Sequence, residues 1–208
     1  MMKDLKNYID NKDYDSALEL LKSSKDLETP ILNYNLGFLF FQKEDYVQAR
    51  TYLEKAQYGG LRTKELKQAL FKVKAELGIQ NLENSYTTKD EVMMKTLGHH
   101  EDVFLALIGF ILLGTLALGI LGKRFLCAIC SFVFVGAMGF YFYIQAFSIQ
   151  INKEEIFVYQ GPSKIFEQIQ VISPGVKLIT KKGKGDWSFI SYPEMYRGWL
   201  FKSKVNKL

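Results

Sequence analysis

Apolar and polar positions divide this chain into three blocks. From Val103 to Leu121 the sequence runs VFLALIGFILLGTLALGIL, nineteen residues without a charge. Gly122, Lys123 and Arg124 follow, and a second apolar run extends from Phe125 to about Phe147. A helix needs about 20 apolar residues to cross some 30 Å of hydrocarbon, and both runs meet that length. Neither has a polar face, which sets them apart from the amphipathic helices of a soluble core. The expectation is two membrane-crossing helices, 103–122 and 125–147, joined so tightly that they form an antiparallel hairpin with both chain ends on one side. Gly109, Gly114 and Gly119 in the first helix, and Gly136 and Gly139 in the second, permit close helix contact. Tyr141 and Tyr143 stand near the end of the second, where aromatic rings favour the membrane interface.

Before the membrane block, residues 1–78 follow a helical period and repeat. Leu5, Tyr8, Asp13, Tyr14, Ala17 and Leu21 recur as Gly37, Phe40, Asp45, Tyr46, Ala49 and Leu53, at a constant offset of 32 residues. That offset suits a helical-hairpin repeat. The second copy is the fuller, with Leu36-Gly37, Phe40, Tyr46, Ala49, Leu53 and Ala56. It resembles the tetratricopeptide repeat, whose small residues let two antiparallel helices pack closely. The first copy has Asp4 and Ser24 where Leu36 and Ala56 stand. Pro30 suits a first helical turn between the copies, and Gly59-Gly60 ends the fourth helix. Leu66, Leu70, Val73 and Leu77 predict a fifth helix that covers the open face of the array. Residues 79–102 are polar and weakly patterned, and are read as a linker.

After the membrane block the period shortens to that of strands. Expected strands are Ile156–Tyr159, Phe166–Val171, Val176–Lys181, Trp187–Ser191 and Gly198–Lys202, separated by Gly161-Pro162-Ser163, Pro174-Gly175, Gly183–Asp186 and Tyr192-Pro193. Tyr159-Gln160-Gly161-Pro162-Ser163, Pro174-Gly175, Gly185-Asp186-Trp187 and Gly198-Trp199-Leu200 stand in the order found in bacterial Src-homology-3-like domains. Residues 153–208 thus resemble that family, which implies a small all-β barrel. The expected fold class is a multi-domain membrane protein with tetratricopeptide-type helical hairpins, a transmembrane helical hairpin and this barrel.

Composition narrows the function. The 208 residues carry a formal charge of +5, but basic and acidic positions are interleaved. A solvated surface is therefore favoured over a nucleic-acid-binding face. The stretch Met1–Asp10 has no apolar run of the signal-peptide kind. The adjacent His99 and His100, with Glu101 and Asp102, point in different directions on a helix and read as a polar collar, not a metal site. Lys182-Gly183-Lys184-Gly185 reads as a hairpin tip, with too few glycines and no following helix for a phosphate loop. Cys127 and Cys130 have redox spacing, but they lie inside an apolar helix where a thiolate is disfavoured, so they read as small packing residues. No catalytic residue, metal or cofactor is expected, and the chain is read as non-enzymatic.

Two binding surfaces are expected. In tetratricopeptide arrays the first helix of each pair lines a peptide groove, and that side carries Tyr34, Asn35, Phe38, Phe41 and Gln42. Phe38 and Phe41 have a competing role in helix packing. In the barrel, Tyr159, Tyr192, Tyr196 and Trp199 are the candidate ligand contacts, and Trp187 is assigned to the core. The order of the three blocks resembles the BatE proteins of the bacterial aerotolerance (Bat) operon. The resemblance implies a scaffold in the bacterial cytoplasmic (inner) membrane, with von Willebrand A-domain membrane proteins as partners alongside lipid. The alternative is a peptidoglycan binder or sensor acting through the barrel. Lys123 and Arg124 argue for a cytoplasmic turn, which puts both soluble parts outside the cytoplasm, although Lys89, Lys95, Lys153 and Lys164 weaken the bias.

Overall fold

The structure is a computed structural model that describes residues 2–24, 27–96, 101–120, 122, 124–183, 185–201 and 205–208. Five helices open the chain: α1 (Met2–Asp10), α2 (Tyr14–Ser23), α3 (Thr29–Gln42), α4 (Tyr46–Tyr58) and α5 (Lys64–Glu76). The 32-residue repeat has a local cause at the turns. Lys12 and Glu44 both take a left-handed backbone, with φ of 59° and 63°. Asp13 and Asp45 then cap α2 and α4, accepting hydrogen bonds from the Ser16 and Gln48 amides at 3.2 and 3.1 Å. Pro30 lies in the first turn of α3, where its missing N–H costs nothing. Gly37 lets α3 and α4 touch, since a β-carbon there would stand 2.7 Å from Leu53 Cγ. Two apolar clusters result, one around Leu5, Leu18, Leu21 and Leu39, the other around Ala49, Leu53, Leu66, Leu70 and Val73.

Residues 79–96, within the expected linker 79–102, hold two helices, α6 (Gln80–Asn84) and α7 (Thr88–Thr96). Ile79 is buried inside the core of the C-terminal sheet, with Leu77 and Leu82 packed beside it. Asp90, also buried, accepts hydrogen bonds from the Thr87 amide and hydroxyl and from the Glu194 amide. The segment read as a linker is thus the seam between the two halves of the molecule.

The chain leaves this body after α7 through α8 (Glu101–Ile120), which packs along α9 (Arg124–Gln145), and returns in strand β1. Met94 of α7 and Phe147 and Ile149 of β1 meet in one apolar cluster, so departure and return lie together. Here the expected two-span hairpin is corrected. Among the described residues one helix, α9, is long and apolar enough to cross a membrane, over Ala128–Gln145, with none of that stretch buried.

The C-terminal part is an antiparallel sheet of seven strands: β1 (Phe147–Asn152), β2 (Ile156–Tyr159), β3 (Gln168–Ile172), β4 (Lys177–Lys182), β5 (Trp187–Tyr192), β6 (Gly198–Phe201) and β7 (Val205–Lys207). Its order is β3-β2-β6-β5-β4-β1-β7. Among the described residues β3 and β7 are its two edges and do not pair with each other, so the sheet is left open, where a closed Src-homology-3-like barrel was expected. Nor is the sheet a separate domain, because Ile79 completes its core and Met94 packs against Ile149 and Ile179. β1 was not anticipated. Its alternation, Phe-Ser-Ile-Gln-Ile-Asn, directly continues an apolar helix that hides its start.

Candidate functional site

A shallow concavity lies on the sheet across β2 and β6. Ile156, Phe157, Tyr159, Lys164 and Phe201 line a cleft of about 280 Å³. β2 supplies the first three, β6 supplies Phe201, and the β2–β3 loop supplies Lys164. The Tyr159 ring meets Trp187 edge-on at 5.6 Å between centroids, and Trp187 meets Phe201 in the same way at 5.6 Å. Lys164 holds its ammonium 5.7 Å from the centre of the Phe201 ring, a cation–π distance. The cleft therefore offers apolar ring faces with one positive charge at the rim. That chemistry suits an extended segment with a bulky apolar side chain beside an acidic group.

Of the four sheet residues singled out from the sequence, the structure brings only Tyr159 to this cleft. Tyr192 packs on the Met94–Ile149–Ile179 cluster, with the Lys89 ammonium 5.9 Å from its ring centre. Tyr196 is buried in the sheet core, where burial raises its phenol pKa. Trp199 stacks edge-on against Phe189. Trp187, assigned to the core, is only half buried and backs the cleft instead. Phe157, Lys164 and Phe201 were missed. A strand period does place Phe157 with Tyr159 on one face, but only the folded β2–β3 loop brings Lys164 across to Phe201.

On the helical side, Tyr34 and Phe41 pack against the α4–α5 cluster, and Phe41 lies tilted on Tyr46 at 5.6 Å. Asn35 is half-buried, while Phe38 and Gln42 are exposed. Exposed Ile31 shares the helical face of Asn35, Phe38 and Gln42, and leaves a narrow apolar stripe on α3.

A third feature escaped the sequence reading altogether. Arg50 of α4 is fully buried at the junction of helices and sheet. Its Nη1 donates to the Gly175 carbonyl at 2.5 Å, and its Nη2 pairs with Glu83 and lies 3.6 Å from Glu54. Lys177 of β4 donates to both Glu54 oxygens, at 3.2 and 3.0 Å, and Lys74 pairs with Glu83 at 2.7 Å. Burial pushes the Glu54 carboxyl upward, but Lys177, Arg50 and Lys74 together outweigh it and bring it down to about 2. Glu83 is likewise held low by Arg50 and Lys74 against the opposing effect of burial. The phenols of Tyr58 and Tyr86, beside the cluster, are raised by burial and then by Glu54 and Glu83 respectively. The five charges are fixed by one another, which makes this a structural clamp and not a site with a reactive group.

Among the described residues no group of His, Cys, Asp and Glu is arranged to hold a metal ion. Cys130 is a free thiol in α9, half-buried. His99 and His100 lie outside the described residues, as does Lys184 of the hairpin tip. Compared with known protein families, with curated proteins and with solved structures, the chain matches none.

Proposed function

We propose that this chain is a non-enzymatic adaptor of the bacterial envelope, seated at the cytoplasmic membrane through α9, that holds segments of other proteins. The observation that carries the reading is the aromatic cleft with Lys164 at its rim, mounted on a sheet whose core is completed by Ile79 from the helical half. A rigid mount matters because binding loses less entropy when the site is formed in advance. The α3 stripe around Phe38 is a second contact. Two weak contacts on one body reinforce each other if their ligands are linked or sit in the same membrane. The resemblance to BatE makes von Willebrand A-domain membrane proteins the first partners to try.

The test is photo-crosslinking in intact cells with benzoylphenylalanine at Phe157 or at Phe38, in the full chain. A protein segment joined to position 157, and lost with Tyr159→Ala, supports the adaptor. A muropeptide joined there would replace it with the peptidoglycan-binding alternative. Adducts at 38 alone would move recognition to the helices, and no adduct at either position would sink the proposal. An impermeant maleimide on Ser85→Cys, which is exposed, reads the side of the membrane: labelling before lysis would put the body outside the cytoplasm, and protection until lysis would put it inside.

A further inference from the structure

The strand register places one end of the sheet directly against the last turn of α9. Phe147, where β1 begins, lies opposite Lys181 of β4. One step further toward the hairpin tip, Lys182 lies opposite Ser188, and the Gly183 amide donates to the Trp187 carbonyl at 3.1 Å. Thus Lys181, Lys182 and Gly183 at the end of β4, with Gly185 and Asp186 ahead of β5, lie at the level where the apolar helix ends. Side chains bind the two together. Tyr143 of α9, half exposed, meets Phe147 edge-on at 5.2 Å, and the Lys181 ammonium lies 6.0 Å from the Phe147 ring centre. Lys181 and Lys182 are exposed, as is Asp186, which offsets one charge.

From this juxtaposition we infer that the β4–β5 hairpin tip is a lipid-headgroup contact: Lys181 and Lys182 meet the phosphates of anionic lipids while Tyr143 and Phe147 occupy the interface. The occupant is a bilayer and not a protein because the surface continues α9, whose Ala128–Gln145 stretch presents apolar side chains all along its length. The pairing of interfacial tyrosine with lysine follows the chemistry of that zone, where rings prefer the headgroup level and ammonium groups reach outward to phosphate. Anionic lipids attract nearby lysines within a Debye length of the surface. The contact fixes how the body stands on the membrane, and hence which way the cleft faces. It rests on the seating of α9 in lipid, so the experiment reads the two separately.

Full-length chain lacking Cys127 and Cys130 is reconstituted in vesicles and labelled with a fluorophore at Asp186→Cys, at Phe132→Cys in α9, or at Ser85→Cys as an exposed control. Nitroxide lipids quench from the headgroup or from mid-chain. The expected result is mid-chain quenching at 132. At 186, headgroup quenching is expected that grows when phosphatidylglycerol is added to phosphatidylcholine, and that falls to the Ser85→Cys level with Lys181→Gln and Lys182→Gln together. Quenching at 132 but none at 186 overturns the headgroup contact and leaves the seating of α9 standing. Quenching at 186 that ignores anionic lipid and the two lysines overturns the charge recognition. No quenching at 132 overturns the seating and the contact with it.

Discussion

At the residue scale the energetics concentrate on Arg50. A buried guanidinium has lost its hydration, and only its pairing with Glu83, Glu54 and the Gly175 carbonyl makes that tolerable. Truncating one partner of such a set strands the others. Arg50→Met should therefore destabilise the chain by about 3–5 kcal/mol, measured by urea unfolding in detergent. A change within a few tenths of a kcal/mol would mean the cluster is hydrated in solution. Glu54 gives the same cluster a pH signature. Its pKa is depressed from 4.5 to about 2, so its contribution is fully present above pH 4.5 and drains away as pH falls toward 2. The loss is on the order of 3 kcal/mol over that window. Glu54→Gln should flatten the acid limb of the stability profile, and an unchanged limb would contradict the assignment.

At the scale of elements, the helices were the most legible part, because each carries its own signals. Asp13 and Asp45 recur as caps, Gly37 and Leu53 recur from Leu5 and Leu21, and Leu66, Leu70 and Val73 follow a helical period. Gly37 is where local code and packing meet. Gly37→Ala forces α3 away from Leu53, with an expected cost of about 1–3 kcal/mol despite the better helix propensity of alanine. A thermal melt decides it, and stabilisation would show that the helices can part without loss. Five strands were also readable from alternation and turn residues, within two residues at either end. β1 and β7 were not. β1 is fused to an apolar helix, and β7 is three residues long, too short to show a period. The cleft was legible only at Tyr159, since strand alternation assigns a face but not which faces curve together.

At the scale of the whole molecule, helices and sheet are expected to unfold together. Ile79 lies in the sheet core, and the Lys177–Glu54 and Arg50–Gly175 contacts span the junction. Both tryptophans, Trp187 and Trp199, are in the sheet, so their fluorescence reports the sheet while circular dichroism at 222 nm is dominated by helix. Coincident urea midpoints by the two probes are the expected outcome. Separate midpoints would make the halves independent domains, as the polar character of residues 79–102 had suggested. The sequence by itself determined the helical period and its caps, the apolar stretch in α9 and most strand positions, because these depend on near neighbours along the chain. Only the tertiary structure decided that the sheet stays open, that Ile79 and Arg50 weld the two halves, and that Lys164 faces Phe201. Those facts depend on residues far apart in the chain, Arg50 and Gly175 among them, and on burial that turns ordinary surface charges into a clamp.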